Sequence, residues 1–146
     1  MSPLVQLSNP GNPAKVRWAA LLARARMDDQ DAVSVILDKA QQQPINDNFV
    51  YEAVPDFIYT RQKPLFDFLF TIMQSDNKDC FSSDPDNEVA MLCGYRVMEY
   101  IAPYIIDFPI PVEEGYLVAD DYPAALQQVR DWYQSNPDYR IVEAGY

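Results

Sequence analysis

The chain has 146 residues, 22 of them acidic against 11 basic, no histidine, and a formal net charge of −11. Such a field repels a phosphate backbone, and the one basic cluster, Arg17, Arg24 and Arg26, is followed at once by Asp28 and Asp29, which argues against a nucleic-acid partner. With 49% hydrophobic residues the sequence suits one domain spanning residues 1–146, and no apolar stretch approaches the ~18 residues that a membrane span needs.

Six helices are predicted. The first runs from Pro13 to Met27, with Asn12 as N-cap and Pro13 at the first helical position. Val16, Ala19, Ala20 and Ala23 form one apolar face and Trp18, Leu21, Leu22 and Ala25 another, the pattern of a helix packed on both sides. The second, Gln30 to Gln43, carries the single stripe Val33, Ile36, Leu37 and Ala40. The third, Asp47 to Thr60, contains Pro55, which should kink or split it near Val54. The fourth starts near Gln62 and packs through Leu65, Phe66, Leu69, Phe70 and Met73. The fifth is expected from Pro85 to Ala102, capped by Asp84 and ended by Pro103. Tyr104 to Ala119 holds Pro109 and Pro111 and reads as an extended crossover packed through Ile105, Ile106, Phe108 and Ile110. The last helix opens at Asp121-Tyr122-Pro123 and buries Tyr122, Ala125, Leu126, Val129, Trp132 and Tyr133; the tail from Tyr139 adds a short extended segment.

A polar turn followed by a mostly apolar helix recurs at Asn12 to Leu21, Asn46 to Val54 and Asp84 to Cys93. Its cap-like residues Asn12, Asp47 and Asp84 are 35 and then 37 positions apart, a period of stacked helical pairs. The best copy, Asp84-Pro85-Asp86-Asn87-Glu88-Val89 and the helix to Ile101, resembles the second helix of a HEAT repeat, with looser copies at Asn12 to Ala25 and Asn46 to Tyr59. The resemblance implies an all-α fold, a short α–α superhelix of stacked antiparallel pairs, used as a protein-binding scaffold. It also implies that Arg96, on the apolar face of the fifth helix, is internal stitching in a buried ion pair, with Asp56 or Asp67 as candidate partner.

Cys80 lies in a polar loop and Cys93 on the following apolar helix face. A disulfide between them would close a loop of roughly 14 residues and stabilise by about 3 kcal/mol. The alternative is one buried thiol and one loop thiol. A bridge places the protein in an exported or periplasmic setting; free thiols suit the cytoplasm. The N-terminal Met1-Ser2-Pro3-Leu4-Val5 lacks the basic region and apolar core of a signal peptide.

Chemistry is hard to assemble from these residues. Without histidine the commonest general base and zinc ligand are missing, and two cysteines do not complete a standard zinc site. With 4 glycines, the chain holds no Gly-rich phosphate loop. The pairs Asp28-Asp29, Glu113-Glu114 and Asp120-Asp121 flank predicted elements and read as caps or solvated turns. Asp84, Asp86 and Glu88 alternate like a calcium loop but lack its Gly and closing Glu, so no metal or cofactor is expected.

Among the tyrosines and tryptophans, Tyr51, Tyr100, Tyr122, Trp132 and Tyr133 are expected in the core, whereas Tyr59, Arg61 and Tyr95 are the candidate binding residues. The expected function is non-catalytic binding of a protein or peptide. Two alternatives stand beside it: an acidic inhibitor or immunity-type protein that captures a basic partner, and a carboxylate-based enzyme or small-ligand binder with a site between helices.

Overall fold

The computed structural model describes residues 3–81 and 89–144. Short connections decide most of the architecture, because a helix that ends and restarts within a few residues must lie antiparallel to its neighbour. In chain order the helices are α1 (Pro3–Leu7), α2 (Ala14–Arg26), α3 (Gln30–Gln41), α4 (Asp47–Thr60), α5 (Lys63–Gln74), α6 (Cys93–Ile101) and α7 (Tyr122–Ser135). Among the described residues two small antiparallel strand pairs interrupt them: β1 (Cys80–Phe81) with β2 (Ala90–Met91), and the hairpin of β3 (Val112–Glu113) and β4 (Tyr116–Leu117). The fold is all-α. Helix α2 packs on α4 and α4 on α6, forming one layer; α3 packs on α5 and α5 on α7, forming a second.

Capping residues set several boundaries. Asp29 accepts from the backbone N–H groups of Asp31 (3.1 Å) and Ala32 (3.4 Å) to start α3, and also from Arg24 Nε in the last turn of α2 (2.8 Å), tying the two helices at their shared corner. This ion pair, first, and the two backbone donors hold the Asp29 carboxyl below its ordinary pKa. Asn46, rather than Asp47, caps α4 by accepting from Phe49 N–H (3.0 Å). Asn12 does not cap α2 as expected. Its Nδ2 donates to the carbonyl of Gln6 (2.9 Å) and ties down α1, a short helix that the sequence pattern did not reveal.

Three further expectations are corrected. The first is the two-sided burial of α2: Ala20, Leu21, Leu22 and Ala25 are buried, but Val16 and Ala19 are exposed. The helix enclosed by neighbours is α5, whose Leu65, Phe66, Leu69, Phe70, Ile72 and Met73 are all buried between α3, α4, α6 and α7. The second is Pro55, which does not split α4. It sits on an exposed face, and burial of Val50, Val54, Phe57 and Ile58 on the opposite side offsets the ~3 kcal/mol that an interior proline costs. The third is α6, which begins at Cys93 and not at Pro85, because Ala90 and Met91 are extended and paired with the chain around Cys80. Asp84, Pro85, Asp86 and Glu88, with their capping and calcium-loop readings, lie outside the described residues.

Helix α6 is drawn close to α5 by Gly94, where a Cβ would stand 3.1 Å from Met73 Cα. Its first residue, Cys93, lies at disulfide distance from Cys80 (Sγ–Sγ 2.08 Å), and both are fully buried. The crossover from α6 to α7 is non-helical after a 3₁₀ turn at Ala102–Tyr104, as the prolines foretold, with Ile105 and Ile110 buried. It also folds back on itself: Glu114 and Gly115 both take positive φ (54° and 82°), the conformation a two-residue hairpin turn demands. The tail is extended against the crossover. Ile106 N–H donates to Arg140 O (2.9 Å) and Val142 N–H to Tyr104 O (2.8 Å). Among the described residues no helix is long and apolar enough to cross a membrane.

Candidate tyrosine groove

The crossover does not lie flat on the helices. Its hairpin stands beside the open face of the α4–α6 layer, and between them runs a cavity of about 420 Å³. Tyr51 of α4 lines it, as do Arg96, Glu99 and Tyr100 of α6, Pro103 and Tyr104 of the 3₁₀ turn, Gly115 to Leu117 of the hairpin, and Tyr122 at the start of α7. Half of the chain's ten tyrosines therefore meet in one place. Tyr116 and Tyr51 are 76% and 55% exposed, while Tyr100, Tyr104 and Tyr122 are half-buried.

Arg96 organises one wall. Its side chain is only 12% exposed, with Nε 3.5 Å from Asp47 Oδ1. Nη2 donates to Phe81 O (2.7 Å), Nη1 donates to the Tyr51 hydroxyl (3.2 Å), and the guanidinium lies 5.6 Å from the Tyr51 ring centroid. Asp47 in turn accepts from Phe81 N–H through Oδ2 (3.0 Å). The partner of Arg96 is thus Asp47, not Asp56 or Asp67, because the arginine reaches toward the N-terminus of α4. Asp56 instead accepts from Trp18 Nε1 (2.8 Å), and Asp67 from Tyr139 and Tyr133. Elsewhere in the groove, burial raises the Tyr122 pKa, and the negative charge of Glu99 raises it further.

The structure leaves Tyr51 exposed rather than in the core, while Tyr100 and Tyr122 are half-buried against the core, as expected, and also line the groove. Pro55 carried a signal for the first of these. A proline inside a helix is tolerated on a solvent face, and Tyr51 lies one turn before it on that face. Tyr104, Tyr116 and Glu99 had no such marker, since the fold of the crossover decides where they meet. Trp132 and Tyr133 are half-buried against the core, as expected.

Tyr59, Arg61 and Tyr95 do not form a common site. The ring of Tyr59 lies under the Arg26 guanidinium (4.8 Å). Arg61 lies over the ring of Tyr104 (4.7 Å) and donates to Ala144 O (3.1 Å), and burial, then the charge of Arg26, lowers its pKa. Tyr95 meets Tyr122 edge-on (6.0 Å). Arg61 and Tyr95 each touch a groove residue from outside without lining the groove. Among the described residues, no three cysteine or carboxylate side chains converge as a metal site would require. Comparison of the chain with protein-family models, with curated proteins and with solved structures gives no match.

Proposed function

We propose that this chain is a degenerate HEAT-like helical-repeat protein that acts by binding a protein or peptide, without catalysing a reaction. The observation that carries the reading is the tyrosine-lined groove on the open face of the α4–α6 layer. Its volume lies within the usual range for ligand sites, its lining combines apolar ring area with a few polar groups, and tyrosine is a favoured anchor at protein interfaces. Two layers of alternating helices support the repeat reading, because the first two copies of the turn-and-helix phrase fall at the starts of α2 and α4, which pack together in one layer. The Cys80–Cys93 pairing supports an exported or periplasmic setting.

Panning a random peptide display library against the immobilised full chain tests the reading. Enriched peptides are expected to shift the backbone amide resonances of Tyr51, Glu99, Tyr100 and Tyr116, and to bind at least about tenfold more weakly to the Tyr51→Ala/Tyr116→Ala double variant. Peptides that bind that variant with unchanged affinity, or that map elsewhere, would overturn it.

A further inference from the structure

Resting on the binding role of the groove, we infer that it takes a cationic side chain, a lysine or arginine presented by a basic peptide segment of the partner. Two charged side chains line the groove, Arg96 and Glu99, and they are not equivalent. The Arg96 charge is met by Asp47, the Phe81 carbonyl and the Tyr51 hydroxyl, and its side chain is largely buried. Glu99 is exposed, and the neighbour it has in the groove is the neutral hydroxyl of Tyr122. The open charge of the groove is therefore negative.

Any ligand that covers the groove removes water from Glu99. A neutral ligand leaves that loss uncompensated, and an acidic one adds repulsion, whereas an ammonium or guanidinium group offsets it by pairing. Arg96 and Arg61 already lie over the rings of Tyr51 and Tyr104; the rings of Tyr100, Tyr116 and Tyr122 act in the same direction as Glu99, since the tyrosine quadrupole attracts a cation placed over it. Further carboxylates flank the site: Glu52 follows Tyr51 on α4, and Glu113 and Glu114 lie in the hairpin, all three exposed. With a net charge of −11 the whole molecule steers a basic segment inward.

Chemical-shift titration of the isotopically labelled full chain with three capped tripeptides, Lys-Arg-Lys, Gln-Gln-Gln and Glu-Glu-Glu, tests the inference. The basic tripeptide should produce saturable shifts at Glu99, Tyr100, Gly115 and Leu117, with the neutral and acidic ones at least about tenfold weaker. Glu99→Gln should weaken the basic tripeptide about five- to tenfold, whereas Asp38→Asn, at an exposed position of α3 in the other layer, should leave it unchanged. Glu99 is exposed, so its variant should fold, which an otherwise unchanged amide spectrum would verify. Equal weakening by the two variants would reduce the effect to bulk charge and sink the inference. So would a neutral or acidic tripeptide that binds as well as the basic one, or no saturable shift with the basic tripeptide. Display-selected peptides that bind the groove without basic residues would overturn the cation preference alone and leave the binding role standing. If no selected peptide maps to the groove, the role itself fails.

Discussion

Two clusters in this molecule are built from the same chemistry, tyrosines gathered around a carboxylate, and their surroundings give them opposite characters. In the first, Asp67 of α5 accepts from the hydroxyls of Tyr139 (2.7 Å) and Tyr133 (3.2 Å). The Tyr133 ring stacks on Phe70 at 4.3 Å, and Tyr139 is only 7% exposed. Here each hydrogen bond closes a gap between α5, α7 and the tail, so the polar tips complete the core. In the second, Tyr116 and Tyr51 are exposed and Tyr100, Tyr104 and Tyr122 half-buried, so that ring area and the Glu99 carboxylate stay open to water. A tyrosine–carboxylate contact therefore says little by itself. What lies behind the ring decides whether it is a fastening or a place to bind.

Truncating one ring in each cluster tests this contrast most severely. Tyr139→Ala should remove packing against Phe70 and the bond to Asp67, costing about 3–5 kcal/mol, as for other buried aromatics. Tyr116→Ala should change stability by no more than ~0.5 kcal/mol, because its ring is mostly in water. Urea unfolding of both variants measures the difference. Comparable losses would mean that the hairpin ring is structural, and the contrast between the clusters would disappear.

Breaking the Cys80–Cys93 link comes next in size. The Cys80→Ser/Cys93→Ser variant is expected to lose about 2–4 kcal/mol. More telling is where the loss appears. Phe81, next to Cys80, is held by Arg96 and Asp47, and Arg96 in turn positions Tyr51. Amide hydrogen exchange should therefore rise around Phe81, Tyr51 and Arg96 before it rises around Asp67 and Tyr139. Uniform loss of protection would show that the disulfide supports the whole fold and has no particular bearing on the groove.

The difference between the two clusters also explains what the amino-acid pattern revealed. Helices α2 to α5 follow periodic apolar stripes and short turns, and their extents lie within a few residues of those expected from propensity and capping alone. The start of α6 does not, because Cys93 is placed by pairing of the extended Ala90–Met91 before it with Cys80–Phe81, a non-local effect that Asp84-Pro85 conceals. Tyr51 matches a core pattern at helical spacing, yet spacing gives the face and not what covers it. The groove exists because the crossover turns back at Glu114 and Gly115, and a turn of two residues leaves little periodicity to read.

Alkaline titration probes the comparison with the smallest expected effect. Burial, then the hydrogen bond to Asp67 and its negative charge, raises the Tyr139 pKa well above the ordinary value of 10.0. Below about pH 10 neither the folded nor the unfolded chain ionises this group, so its contribution to stability is fully present. As the pH rises further, the unfolded chain releases the proton while the folded chain holds it. The contribution is then lost at up to about 1.4 kcal/mol per pH unit until the folded group itself ionises. Tyr133 and Tyr122, also raised by burial and a nearby carboxylate, add to the same loss, but they are more exposed and add less. Urea midpoints taken between about pH 9 and 11.5 should fall steeply for the parent chain and less steeply for Tyr139→Phe, which keeps the ring and has no proton to lose. Identical slopes for the parent and Tyr139→Phe would show that water reaches the Asp67 cluster as freely as the groove, and the distinction between the two would fall.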